Sequence, residues 1–198
     1  MAKSYKETTE LFYPPDRQAW REWLKENHTT YDRIWLIYYK KESGMPSISY
    51  DEAVEEALCF GWIDSVPNKI DDQKYKQLFS VRKKKSPWSR LNKTRVEKLS
   101  LEGLMAPAGQ AMIDRAKADG SWTVYDAVED LIIPPDLAAA LASTPFAEEN
   151  FLSFAPTYRK GILWWVISAK RPETRAKRVE TTARMAAKNL KAQFDKES

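Results

Sequence analysis

The sequence predicts an α+β protein: a small antiparallel sheet with flanking helices in the N-terminal half, followed by an all-helical C-terminal half. Three observations carry that prediction. RIWLIYYK, residues 33–40, is a continuous apolar, aromatic and β-branched run bounded by polar residues, the pattern of a strand in the middle of a sheet covered on both faces. YKQLFSVRKK, residues 75–84, sets Tyr75, Phe79 and Val81 on one parity, a second strand. Beyond residue 86 apolar residues recur at helical spacing between prolines and glycines. At 198 residues, 43% hydrophobic and 30% charged, the chain has material for a packed core and needs no covalent staple.

The first helix is predicted to start at Asp16, a favourable cap, and to carry Ala19, Trp20, Trp23 and Leu24 on one face. After the first strand, ESGMPS is a loop. Ser49-Tyr50-Asp51-Glu52 then has the spacing of a capping box, so a helix is expected from Tyr50 to about Phe60, with Gly61 as its left-handed terminator. WIDSV and KID are expected as short strands around a Pro67-Asn68 turn. Ser86-Pro87 has the form of a helix start, with the helix running to about Gly103. A further helix is expected from Pro107 to Asp119, closed by Gly120, and others near Pro135, Pro145, Pro156 and Pro172. In the last of these, Val179, Ala183, Ala186, Leu190 and Phe194 form a core stripe. Two domains are expected, residues 1–125 and 126–198.

Composition excludes several chemistries. One cysteine cannot form an intrachain disulfide, and a single histidine, His28, leaves no His/Cys cluster of the kind that binds zinc, so neither a metal nor a cofactor is expected. The longest apolar run, GILWWVISA at 161–169, falls far short of the roughly 18 residues of a membrane span. MAKSYKETTELFY lacks the apolar stretch of a signal peptide, and a cytoplasmic location is expected. No phosphate-loop or dinucleotide-binding glycine pattern is present.

The net charge is only +4, but its distribution is uneven. Between Gln73 and Val96 there is no acidic residue, whereas Lys74, Lys76, Arg82, Lys83, Lys84, Lys85, Arg90, Lys93 and Arg95 are all cationic. Within this segment FSVRKKKSPWSRLN places cations, hydroxyls and a tryptophan at a strand-to-helix junction. The free N–H groups and positive dipole end of a helix start favour an anion there. The competing reading is a solvated lysine-rich edge that prevents sheet-to-sheet association. A second basic stretch, AKRPETRAKR at 169–178, sets Arg171, Arg175 and Arg178 on a strip beside the core stripe. Such a strip clamps an anion or phosphates, or else pairs with acids of a neighbouring helix, for which Glu129, Asp130, Glu148 and Glu149 are available.

ALCFGWIDS, residues 57–65, suggests a nucleophile motif. At 100° per residue, however, Cys59 falls opposite the arc of Ala53, Val54, Ala57 and Leu58 and beside Glu55 and Glu56. Carboxylates disfavour a thiolate, which makes Cys59 a structural thiol. Trp62 and Asp64 follow the helix stop, where Asp64 can pair with Arg82 or Lys85. The expected site therefore combines Trp62, Asp64, Arg82, Lys85, Ser86, Trp88, Ser89 and Asn92.

SISYDEAVEEALCFGWIDS, FSVRKKKSPWSRLN and LEGLMAPAGQAMIDRAKADGSW resemble the bacterial YdeI/OmpD-associated, or bacteriocin-protection, family, and FAPTYRKGILWWVISAKRPETRAKRVETT is similar to that family's helical C-terminal domain. The resemblance spans nearly the whole chain. It departs at Ser65, where the family has glycine, and at Val81, where it has proline, and leaves Arg82, Ser86, Trp88, Ser89 and Asn92 in register. It implies a role in bacteriocin tolerance or stress response and carries over no catalytic residue. Together with the residues, it leads to a non-enzymatic binding protein for a small anion or an acidic group on a protein partner. The alternatives are a nucleic-acid-binding protein using residues 74–95 and 171–178, and an enzyme using Cys59 or Asp64.

Overall fold

Along Arg33–Tyr39 every second side chain is buried, and this strand, β2, lies inside a four-stranded sheet. The computed structural model describes residues 10–196 and divides into two units, one ending at Thr123 and the other starting at Val124. In the first unit β1 (Leu11–Phe12), β2, β3 (Trp62–Lys69) and β4 (Lys74–Val81) are arranged in the order β1-β2-β4-β3. β4 runs antiparallel to both neighbours, in register from Arg33 opposite Ser80 to Tyr39 opposite Lys74. The two-residue β1 adds a parallel pair at one edge, which its length hid from sequence patterning.

Two expectations about these strands need correction. β2 is internal, but only Ile34, Leu36 and Tyr38 are buried, while Arg33, Trp35, Ile37 and Tyr39 stay half-exposed. Helices pack on the first set alone: Trp20 and Leu24 of α1 (Arg17–Asn27) and Ala53, Val54 and Ala57 of α2 (Tyr50–Cys59) share a core with Ile34, Leu36, Tyr38 and Phe79. The WIDSV and KID segments are not two strands about a turn but the single strand β3, with its register shifted between Asp64 and Pro67. Pro67 cannot donate to a ladder, and an edge strand with a bulge is where a sheet accommodates one.

The helix signals act as expected at several points. Asp16 accepts from the Ala19 N–H at 2.8 Å. Ser49 and Glu52 form the reciprocal capping box. Gly61 ends the α2 region at φ 76°, in the left-handed conformation. Ser86-Pro87 does not start a helix: α3 (Arg90–Leu101) begins three residues later, capped by Ser89, whose hydroxyl accepts from the Asn92 N–H at 3.3 Å. The intervening chain is held extended because the Arg82 guanidinium donates to the Pro87 carbonyl and Trp88 is buried. α4 (Pro107–Asp119) closes on Gly120 as expected.

The second unit contains α5 (Asp126–Glu129), α6 (Pro135–Ser143), α7 (Ala147–Ser153), α8 (Pro156–Ile167) and α9 (Pro172–Ala187), around a core that includes Leu137, Phe151, Leu163, Val166 and Ala183. α5 is too short to show a period. α9 stops at Ala187, so the stripe of Val179, Ala183 and Ala186 is helical but Leu190 and Phe194 lie beyond it. Phe194 folds back onto Gly161 and meets the Tyr158 ring edge-on at 5.1 Å. Among the described residues no helix is long and apolar enough to cross a membrane.

Candidate functional site

The end of β4 delivers Arg82 into the protein at 5% exposure. Its guanidinium carbon lies 3.8 Å from the centre of the Trp88 ring, which is itself 2% exposed and packed against Trp122. The guanidinium donates to the Pro87 carbonyl, while its Nε is buried and has no hydrogen-bond partner. Burial lowers the Arg82 pKa to about 10, and the nearby charge of Asp64 opposes that shift. Arg82 therefore stays charged at neutral pH, and its unpartnered N–H has lost water without gaining an acceptor, an arrangement that costs free energy.

Arg82, Asp64 and Ser86 line one cavity of about 530 Å³, whose lining also includes Asp32, Arg33, Leu78, Ser80 and Lys83. A much smaller cavity next to it is lined by Arg82, Lys83 and Ser86 together with Lys85 and Asp119. The Asp64 carboxylate is occupied: Tyr50 Oη donates to it at 2.8 Å and Gln77 Nε2 at 3.2 Å. Lys85 adopts φ 60° in the turn after β4, and Asp119, held below its usual carboxylate range first by Ser121, also accepts from the Lys85 backbone.

The other expected site residues do different work. Trp62 is fully buried, edge-on to Trp23 at 5.9 Å, and its Nε1 donates to the His28 carbonyl at 3.4 Å; it belongs to the core and not to a pocket wall. Trp88 is the support beneath Arg82. Ser89 caps α3, and Asn92 Oδ1 accepts from Arg95 Nη1 at 3.0 Å, which turns Arg95 towards Asp51. The basic segment 74–95 is thus divided among a sheet face, a buried arginine, a turn and a helix. Asp32, Arg33, Ser80 and Lys83 join the cavity through strand register, a signal that a linear motif does not carry.

Cys59 is fully buried, and its thiol is pushed up to about 11, by burial first and then by the Glu56 charge. Basic groups do approach this face: Arg17 Nε and Arg21 Nη1 donate to Glu56 at 2.6 and 2.5 Å, and Arg17 Nη1 donates to Glu55 at 2.9 Å. His28 packs on Phe60, and its Nδ1 lies 2.8 Å from the Leu24 carbonyl. A sealed, protonated thiol is not a nucleophile.

In the second unit Arg175 holds Asp136 through two hydrogen bonds of 2.6 and 2.9 Å, in place of the acids expected from sequence. Arg178 donates to the Trp165 carbonyl and lies over its ring at 5.1 Å. Arg171 is exposed at the start of α9. The strip is thus largely consumed in bracing α9 against α6 and α8.

Residues 12–112 match the family model described as "Domain of unknown function (DUF8412)". Residues 130–189 match the one described as "Bacteriocin-protection, YdeI or OmpD-Associated". The second match covers less of the chain than the resemblance in its motifs implied, since the motifs at 47–65 and 79–92 fall within the first match and the one at 101–122 starts within it. No curated protein and no solved structure matches the chain.

Proposed function

The chain belongs to the DUF8412 family, and because it also carries a bacteriocin-protection, YdeI or OmpD-associated domain, we propose that it is a non-enzymatic cytoplasmic protein of bacteriocin tolerance that binds a small anion or an acidic group of a partner. One observation carries the binding reading: Arg82 is buried on the Trp88 ring with an unpartnered Nε, and it lines a cavity that also holds Ser80, Lys83 and Ser86. A carboxylate or phosphate in that cavity is attracted by the Arg82 charge, and once the side chain turns Nε towards the cavity an oxygen of the anion supplies the missing acceptor; charge-assisted hydrogen bonds of this kind are about twice as strong as neutral ones. The hydroxyls of Ser80 and Ser86 and the Lys83 ammonium are the further donors. Asp32 and Asp64 on the same rim select against polyanions that would fill the cavity with negative charge.

The test is a thermal shift with inorganic phosphate, acetate and glutamate. The wild-type protein is stabilised in a concentration-dependent way, whereas Arg82→Lys, which keeps the charge but has no Nε, and Ser86→Ala lose most of that response. A response that is unchanged in both variants rules out the cavity as the site. Cell fractionation of tagged full-length protein tests the cytoplasmic placement, which fails if the protein sediments with envelope membranes.

A further inference from the structure

The face of the sheet turned away from α1 and α2 shares Arg33, Leu78 and Ser80 with the lining of the anion cavity, but its aromatic rings lie outside that lining. On β2 it presents Arg33, Trp35, Ile37 and Tyr39, and on β4 Lys74, Lys76, Leu78 and Ser80, so the two central strands offer eight positions without one carboxylate. Trp35, Ile37, Tyr39 and Leu78 belong to neither hydrophobic core. The Lys76 ammonium lies 4.5 Å from the Trp35 ring centre, and that of Lys74 lies 5.7 Å from the Tyr39 ring centre. Each aromatic ring is therefore paired with a cation on the antiparallel β2–β4 pair, and the Tyr39 ring also meets the Tyr13 ring edge-on at 5.0 Å.

We propose that this face is a binding platform for single-stranded nucleic acid, with bases stacked on Trp35 and Tyr39 and backbone phosphates held by Lys74 and Lys76. The occupant follows from the chemistry. A flat array of two rings, two aliphatic side chains and three cations matches a ligand that alternates aromatic planes with negative charges, and base–aromatic stacking is tolerant of sequence. A base that slides over Trp35 displaces the Lys76 ammonium from the ring towards the adjoining phosphate, so one cation–π contact is replaced by a stack and an ion pair. Trp35 and Tyr39 are four residues apart on one strand, about 13 Å. That separation suits bases splayed along an extended strand, and bases stacked inside a duplex cannot offer their faces to it. Carboxylates near the face, Asp32 beside Arg33 at 3.2 Å and Asp71 beside Lys74 at 3.7 Å, stand at its ends and not between the rings.

Trp35, Tyr39, Lys74 and Lys76 do not line the Arg82 cavity, although Arg33, Leu78 and Ser80 belong to both, so variants at Trp35, Lys76 and Arg82 separate the two readings. The test measures fluorescence anisotropy of labelled poly-dT and poly-U oligonucleotides with the full chain across a salt series, beside a matched duplex and a poly-glutamate peptide. Binding is expected at low salt, weakening as salt rises and stronger for the single strands than for the duplex. Trp35→Ala is expected to lower the affinity about 5- to 100-fold while Trp35→Phe retains most of it. Lys76→Gln, a surface change that does not threaten folding, is expected to reduce the salt slope by about one. Arg82→Lys should leave oligonucleotide binding unchanged, and Trp35→Phe should leave the phosphate-dependent thermal shift unchanged, so failure of one proposal does not count against the other. The proposal is overturned by no binding at low salt, by poly-glutamate or duplex binding as tightly as the single strand, or by affinity that depends on Arg82 and not on Trp35 and Lys76.

Discussion

The Arg82 guanidinium carbon lies 3.8 Å from the centre of the Trp88 ring, and each group explains the burial of the other. The ring supplies a negative face to a cation that has left water, and the cation covers a tryptophan at a loop position. Trp88→Ala removes both the support and a large buried side chain, and is expected to cost about 3–5 kcal/mol in urea unfolding. Trp88→Phe keeps a smaller ring and should lose less. If the stack positions Arg82, the phosphate-dependent thermal shift falls in step, smallest in Trp88→Ala; a full response in that variant would show that Arg82 is placed by its other contacts.

Glu56 is 1% exposed and takes hydrogen bonds from two arginines of α1, so α1 and α2 are locked by an ion cluster as well as by apolar packing. Removing the carboxylate leaves Arg17 Nε and Arg21 Nη1 without their acceptor, although Arg17 Nη1 still donates to Glu55 and Arg21 Nη2 to the Leu104 carbonyl. Glu56→Ala should destabilise by about 3–5 kcal/mol, the cost of breaking a buried pair on one side. Arg17→Ala should cost clearly less, because the Arg17 side chain is 32% exposed and Arg21 still holds Glu56. Denaturant midpoints of both variants check the order; equal losses would contradict the cluster.

Much of the architecture was legible where one residue determines a local backbone choice. Asp16, the Ser49/Glu52 pair and Gly61 each act within a few residues, so the helix ends they mark follow from sequence alone. Ser86-Pro87 misled because its capping potential lost to tertiary contacts of Arg82 and Trp88, which no local rule contains. Trp62 and Trp88 read as pocket walls because a tryptophan near cations suits a ligand; both are core residues, and burial depends on the packing of distant segments. Arg82, Asp64 and Ser86 do meet at one cavity, but Arg33 and Ser80 reach it only through the pairing of β2 with β4, and strand order is a global property.

At Gly109 the approach of α4 to the end of α2 leaves no room for a side chain. A Cβ there would lie 2.2 Å from the Cys59 carbonyl oxygen and 2.7 Å from that of Leu58, and backbone cannot rotate aside. Nearby, the Ala106 N–H donates to the same Cys59 carbonyl at 3.1 Å, so the crossing is fixed by a hydrogen bond as well as by contact. Gly109→Ala should therefore destabilise by about 3 kcal/mol through overpacking. Gly103→Ala is the control: a Cβ there meets nothing within 4 Å, and only its left-handed φ of 68° opposes the change, at about 1 kcal/mol. Thermal or urea unfolding should rank the two in that order, and a tolerated Gly109→Ala would show that α4 can move away from α2.

The Cys59 thiol makes the stability depend on pH in a calculable direction. Burial, aided by the Glu56 charge and opposed by Arg21 and Arg17, raises its pKa from the usual 9.0 to about 11. Below pH 9 the thiol is protonated in both the folded and the unfolded chain, and its contribution is fully present. Between pH 9 and 11 the unfolded chain releases the proton while the folded protein retains it, so the unfolded state gains and stability falls with rising pH. Two pKa units correspond to about 3 kcal/mol, lost progressively through that window and just above it. Tyrosines and lysines titrate in the same range, so the informative quantity is the difference between the wild type and Cys59→Ala, which lacks the thiol but keeps the rest. Urea unfolding at pH 8, 9, 10 and 11 should show the wild type losing about 2 kcal/mol relative to the variant by pH 11, and parallel curves would mean that the thiol is hydrated in the folded protein. A disulfide-exchange reagent should agree, reacting slowly with the native protein at pH 8 and quickly once the chain is unfolded.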